Sequence, residues 1–325
     1  MWISNTASAL MLMPVAMAVL ASCDDRERLA VPLLLGLAWS CSIGGLGTPI
    51  GTPPNLIFVQ VFEQTTGQTI SFGQWMSWGM PVIAVLLPAA WWWVTRNLPT
   101  ELGIRLPLVG PWRSAERRVM TIFALTAVAW ITRAEPFGGW QAWLDLPFTN
   151  DASVALLAVI TLFVVRDKEG EPLIDWQQAS QIPWGVLLLF AGGICLARGF
   201  VASGLSAQVG EALTLVATLP VFLMMLLLAL VVTFLTEATS NTATTALLMP
   251  VLAAVALAVD IDPLWLMVPA AMSASCAFML PVATAPNAVV FGSGELPIQR
   301  MVREGLMLNL FGAIVIAGLM ALILQ

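Results

Sequence analysis

One short polar phrase occurs twice in this chain, each time at the head of an apolar run. Ser4-Asn5-Thr6-Ala7, followed by Met13-Pro14-Val15, returns as Ser240-Asn241-Thr242-Ala243, followed by Met249-Pro250-Val251, an offset of 236 residues (240 less 4, and 250 less 14). A second pair follows in the same order. Gly51-Thr52-Pro53-Pro54-Asn55 is matched by Ala283-Thr284-Ala285-Pro286-Asn287, at an offset of 232 (287 less 55). Polar, helix-breaking phrases in corresponding places of two hydrophobic halves point to a membrane transporter fold with a binding site between internal repeats.

Composition agrees. With 59% hydrophobic residues, 10% charged residues and a mean hydropathy of +0.90, the chain carries more apolar surface than one water-soluble core could hide. It reads as an all-α polytopic membrane protein. The basic residues are scattered singly through interhelical loops, so the net charge of −6 gives no nucleic-acid footprint. Cys23, Cys41, Cys195 and Cys276 lie in or beside apolar segments without C-x-x-C spacing and read as buried thiols. There is no histidine, hence no imidazole ligand or proton shuttle. The first residues show neither a basic n-region nor an apolar run before a small-residue cleavage site, so no signal peptide is expected.

In chain order, residues 7–22 read as a short apolar helix, better suited to a re-entrant arm than to a span, followed by the charged turn Cys23–Arg28. Residues 29–43 are helical. Gly44–Pro54 cannot continue that helix, because its prolines lack amide donors and its glycines favour other backbone angles. The helix resumes near Asn55, giving a broken helix over 29–67. Non-helical backbone at membrane depth is tolerated only beside protein or a watery cavity, so the break should line a site. A span over 78–95 ends in Trp91-Trp92-Trp93, an interfacial aromatic belt. Further spans are expected at 119–132, 152–165 and 184–201, and an interfacial amphipathic helix at 205–216. Residues 217–259 read as a hairpin, 263–293 as a second broken helix with its unwound stretch at 279–287, and 305–324 as the last span.

Charge bias orients the chain. With the loop 96–118 inside, eleven of the thirteen basic residues fall inside and only Arg133 and Arg198 outside, provided that 217–259 and the segment at Met1 are hairpin arms that do not cross.

A Ser, Asn or Thr ahead of an apolar helix is a favoured N-cap. Two such caps and two unwound loops meeting at the midplane would supply amide donors and positive dipole ends for an anion, and freed carbonyls and hydroxyls for a hard cation. Asparagine suits both, since its amide oxygen faces cations and its NH₂ faces carboxylates. Of the nineteen acidic residues only Glu237 lies within a membrane arm; a cation-binding or structural role there is favoured over a proton relay, for want of a second titratable group.

These residues carry a family resemblance. Thr236–Thr245, Ser4-Asn5-Thr6, Gly51–Asn55 and Ser275-x-x-Phe278-x-x-Pro281-Val282-Ala283-x-x-x-Asn287 resemble the divalent anion:sodium symporter family, which carries dicarboxylates, citrate or sulfate. The resemblance covers essentially the whole chain. It implies an inverted-repeat, elevator-type transporter with two re-entrant hairpins and two broken helices, working as a homodimer in the lipid bilayer. Residues 1–95 and 217–325 would form the transport domain, and 96–216 the scaffold spans and interfacial helix. One sodium would be held by Ser4, Asn5 and carbonyls near Gly51, a second by Thr236, Asn241 and Ala283. The substrate would meet Asn5, Thr6, Thr52, Ser240, Asn241, Thr242 and Thr284, with Glu237 as supporting carboxylate. Sodium is the coupling ion, and no cofactor is implied. Ala285 departs from the double proline common in the family, beside the expected anion position.

The second repeat has an arm and several apolar segments ahead of Ser240, whereas only three residues precede Ser4, so early scaffold helices and one hairpin arm are expected to be missing. Two alternatives stay open: an inactive or non-transporting remnant, and a proton-coupled or exchange carrier using Glu237. An enzyme is disfavoured by the absence of H-E-x-x-H, G-x-S-x-G and any histidine base.

Overall fold

In the computed structural model, residues 1–99, 110–134, 138–146, 148–180 and 219–324 are described, with Leu188, Gly192, Cys195, Gly199 and Ser203 between them. The expected span at 184–201 and interfacial helix at 205–216 lie essentially outside these residues. Among the described residues there are thirteen helices and no strand, only an isolated bridge between Arg166 and Pro172. The helices are α1 (Asn5–Ala21), α2 (Arg26–Gly45), α3 (Pro53–Thr66), α4 (Phe72–Thr95), α5 (Ser114–Ile131), α6 (Gly139–Trp143), α7 (Asp151–Val164), α8 (Trp176–Ala179), α9 (Val221–Ala238), α10 (Asn241–Ala258), α11 (Pro263–Ala274), α12 (Ala285–Phe291) and α13 (Ile298–Ile323). Five of them, α2, α4, α9, α10 and α13, are long and apolar enough to cross a membrane.

Several boundaries differ from the sequence reading. The second break spans 275–284 rather than 279–287, because α11 stops at Ala274 and α12 restarts at Ala285. Pro286 sits in the first turn of α12, as Pro53 and Pro54 do in α3, where a missing N–H is harmless. The spans α4 and α13 begin at Phe72 and Ile298 rather than at 78 and 305. Gln74 and Ser77 interrupt the start of α4, and Gln299, Arg300, Arg303 and Glu304 that of α13, so hydropathy alone starts both too late.

The chain forms two units, one of residues 1–70, 76–106 and 185–325, the other of 71–75 and 107–184. In the second unit α5 packs on α7. Arg133 ties the following turn to the start of α7 through Asp151 at 2.6 Å, and Phe72 stacks on Trp130 with ring centroids 5.5 Å apart.

The first unit carries the duplication. There α1 packs on α2 as α10 packs on α11, α1 packs on α12 as α10 packs on α3, and α2 meets α12 as α11 meets α3. Exchanging α1 with α10, α2 with α11 and α3 with α12 maps every one of these pairs onto another. Each of α1 and α10 therefore packs on the first segment of the broken helix in its own repeat and on the resumed segment of the one in the other repeat. The exchange extends to close backbone approaches: a Cβ on Gly79 of α4 would collide with the Leu46 carbonyl, and one on Gly305 of α13 with the Phe278 carbonyl, Leu46 and Phe278 being 232 positions apart.

At one end of this unit Arg26 pairs with Glu295 and Arg96 with Glu304, the latter at 2.6 Å. Arg28, Arg96 and Arg300 line one cavity of about 350 Å³ there, so residues that the charge bias put on one side do share one face.

Candidate functional site

The two breaks are built alike. In the first, the Gly51 N–H donates to the Thr48 carbonyl at 3.2 Å; in the second, the Ala283 N–H donates to the Leu280 carbonyl at 3.3 Å. Behind each turn stands an asparagine in the first turn of the resumed helix. Asn55 Nδ2 donates to the carbonyls of Gly45 (2.9 Å) and Thr48 (2.8 Å). Asn287 Nδ2 donates to those of Ala277 (3.0 Å) and Leu280 (3.0 Å). All three positions of each set are related by the offset of 232. Both asparagines are fully buried, and in both the Oδ1 has no partner. An amide oxygen left so costs about 1–3 kcal/mol, which makes two of them in equivalent places notable.

The N-caps of the resumed helices are Thr52 and Thr284, both buried and both in extended backbone. Thr284 Oγ1 accepts from the Asn287 N–H at 3.2 Å. Ahead of α1, Ser4 caps the helix by accepting from the Ala7 N–H at 3.2 Å. Ser240 occupies the same place before α10, without a side-chain capping bond. Ser4, Thr6 and Ser240 are exposed, while Asn241 and Thr242 are half-buried.

Polar atoms gather at two points. The buried amide of Asn5 lies against Gly45, where no Cβ could fit, and its nitrogen donates to the carbonyls of Cys41 at 2.9 Å and Gly51 at 3.1 Å. In the other repeat, the fully buried Thr236 Oγ1 lies 2.9 Å from Asn241 Oδ1 and 3.0 Å from the Ala274 carbonyl. A hydroxyl has one proton for these two acceptors, so one of the contacts is between oxygens that lack a hydrogen. Ala283 is buried, and its N–H closes the turn to the Leu280 carbonyl.

Glu237 lies next to Thr236, 4% exposed. Its Oε1 accepts from the Phe278 N–H (2.8 Å), the Met279 N–H (2.9 Å) and Asn309 Nδ2 (2.7 Å), and its Oε2 from the Leu280 N–H (2.8 Å). Asn309 Oδ1 accepts in turn from Phe278 at 3.1 Å. Three successive amides freed by the end of α11 are thus gathered by one carboxylate.

The sequence reading placed Asn5 with Gly51 and Thr236 with Asn241, and both pairs do come together. It missed the carbonyls of Cys41 and Ala274, the two loop-holding asparagines and Asn309. Asn55 and Asn287 closed both repeated phrases and could have been singled out; Asn309, the lone amide in an apolar span, carries the same signal as any intramembrane polar residue. The carbonyls leave no trace in residue type.

Residues 4–324 match the family model described as the sodium:sulfate symporter transmembrane region. Over 97% of its length the chain is 36% identical to the sodium-dependent dicarboxylate transporter SdcS of Staphylococcus saprophyticus and 38% identical to SdcS proteins of Staphylococcus aureus strains. It spans 65% of the length of these relatives. Five span-length apolar helices, the duplicated broken-helix site and the family match over residues 4–324 lead to one conclusion: the chain is a multi-pass membrane protein of the sodium:sulfate symporter family.

Proposed function

We propose that the whole protein to which this chain corresponds is a secondary active transporter that couples sodium entry to symport of a small divalent anion, a C4-dicarboxylate, citrate or sulfate. The observation that carries this reading is the pair of buried polar clusters, the Asn5 amide on the Cys41 and Gly51 carbonyls and Thr236 with Asn241 and the Ala274 carbonyl. Sodium is a hard cation that binds oxygen ligands, and at Thr236, where one hydroxyl proton faces two acceptor oxygens, a cation would take the place of the missing proton. Ser4 and the Ala283 carbonyl complete the proposed shells.

The exposed or half-buried groups beside each cluster, Thr6, Ser240 and Thr242, with the capping Thr52 and Thr284, would hold the anion, Asn5 and Asn241 serving both ligands. Helix N-termini there favour negative charge. Sodium bound first would neutralise part of the anion's repulsion for the surrounding carbonyls, which makes co-binding and symport two faces of one electrostatic arrangement. An elevator movement, with residues 1–95 and 217–325 as a transport domain whose two hairpins are re-entrant, sliding against a dimeric scaffold, fits this reading. The names of the SdcS relatives favour a dicarboxylate. Glu237 works in this scheme as the clamp on the second break rather than as a proton carrier, because its acceptors are taken up by four N–H donors.

The test is uptake of labelled succinate and of labelled sulfate by proteoliposomes, with and without an inward sodium gradient, using this chain and a version extended to the length of the SdcS relatives side by side. Sodium-driven uptake of either anion by either version supports the reading; uptake indifferent to sodium would refute it.

A further inference from the structure

Past Glu304 the last span, α13, keeps one polar side chain in its apolar run, Asn309, and it is fully buried. Both halves of its amide are used. Nδ2 donates to Glu237 Oε1 at 2.7 Å, and Oδ1 accepts from the Phe278 N–H at 3.1 Å. One side chain thus touches α9 and the second break at once. A buried amide in a membrane helix commonly serves as glue between helices. The first repeat shows that packing here does not require it.

Gly79 of α4 and Gly305 of α13 make equivalent close approaches, 226 positions apart (305 less 79), so the counterpart of Asn309 is Ile83 (309 less 226). Ile83 covers the first break at the corresponding point: a Cβ on Gly47 would lie 2.6 Å from Ile83 Cδ1, and Gly47 stands 232 positions before Met279. The fold therefore seats a span on a break with an apolar side chain in one repeat and with an amide in the other. What the amide supplies is its hold on Glu237. All four partners of that carboxylate are N–H donors, and none of them carries a charge. An arginine or lysine at 309 would neutralise it, whereas asparagine fixes its orientation and leaves the negative charge in place.

The residue before Glu237 is Thr236, whose Oγ1 faces Asn241 Oδ1 and the Ala274 carbonyl. The amides that Glu237 clamps, those of 278–280, lead into the turn closed by the Ala283 N–H and the cap at Thr284. We propose that Asn309 is a positioning residue for the second cation site: it holds an unneutralised carboxylate next to Thr236 and, through that carboxylate, sets the second break. The proposal rests on the sodium reading above. Its consequence is that sodium affinity, rather than turnover or the fit of the anion, depends on a residue outside both proposed ligand sets.

The experiment measures succinate uptake by proteoliposomes carrying the version extended to the length of the SdcS relatives, as wild type, Asn309→Leu and Asn309→Ser, the smaller residue serving where leucine disturbs folding. Leu310→Ala, on the exposed side of the same helix, controls for a general loss of stability. In the Asn309 variants the half-saturating sodium concentration should rise severalfold, while maximal uptake and the succinate KM at saturating sodium stay within about twofold of wild type. Leu310→Ala should move none of the three. A half-saturating sodium concentration equal to wild type, or a fall in maximal uptake with unchanged sodium dependence, would overturn the proposal. Wild-type uptake indifferent to sodium would instead end the sodium reading, and this inference with it. Hydrogen exchange in sodium-free detergent gives a readout without transport. There the amides of 278–280 should exchange severalfold faster in Asn309→Leu than in wild type or Leu310→Ala, and equal protection in all three would also overturn the role.

Discussion

The indole of Trp39 donates to the carbonyl of Phe278 at 3.1 Å, and the two rings meet edge to face with centroids 5.9 Å apart, across 239 residues of sequence. Trp39 belongs to the first repeat and Phe278 to the break of the second, so one side chain fastens the two repeats together. It has no counterpart under the exchange, because Ala271 stands 232 positions after Trp39.

Trp39→Phe should keep most of the packing and lose the hydrogen bond to the Phe278 carbonyl, a loss of about 1 kcal/mol. Trp39→Ala should lose about 3–5 kcal/mol through the cavity left in a fully buried place. Thermal unfolding in detergent, comparing the two, separates bond from volume.

Glu237→Gln replaces one acceptor oxygen by an NH₂ that must face backbone N–H donors. A loss of about 1–3 kcal/mol is expected from the unpaired amides. A melting temperature equal to wild type, with altered pH dependence of transport in the completed protein, would contradict the clamp role and favour proton carriage.

Gly305→Ala and Gly79→Ala should each be destabilising by about 1–3 kcal/mol or more, since the new methyl group meets a backbone carbonyl that cannot swing aside. Gly312→Ala on the same helix as Gly305, where the added carbon would lie 3.9 Å from the Phe278 ring, should be tolerated. Equal stability of Gly305→Ala and Gly312→Ala would show that the close approach is not maintained.

Asn55→Ala and Asn287→Ala each free two loop carbonyls from their donors. Comparable losses, roughly 2 kcal/mol each for two bonds, are expected, and the double variant should be near additive because the sites share no partner. Thermal denaturation of the singles and the double tests this, and a double no worse than one single would mean that the two breaks open together.

The ion pair of Arg96 with Glu304 is partly open to solvent, so Glu304→Gln should change stability by no more than about 1 kcal/mol, an effect that fades in high salt. The contact of Arg96 with the Trp93 ring, 3.8 Å from its centroid, would remain.

Sequence alone determined the all-helical membrane class, the two repeats, and the places where helices must stop. Those follow from local chemistry: a proline lacks a donor, a glycine admits other angles, and an apolar run of span length has no soluble use. It also pointed to Asn5, Asn241 and Glu237, because polar groups within apolar arms are costly to keep. The starts of α4 and α13 were not legible, because polar residues there, Gln74 and Ser77 in one and Gln299, Arg300, Arg303 and Glu304 in the other, break the hydropathy signal of the apolar stretch. Only the tertiary structure decided how α1 and α10 pack on the broken helices, that the carboxylate of Glu237 serves loop 278–280, and that the carbonyls of Cys41 and Ala274 accept from Asn5 and Thr236. A backbone carbonyl is present at every residue, so what makes one a ligand is where the fold aims it, and that is set by packing between segments more than two hundred residues apart.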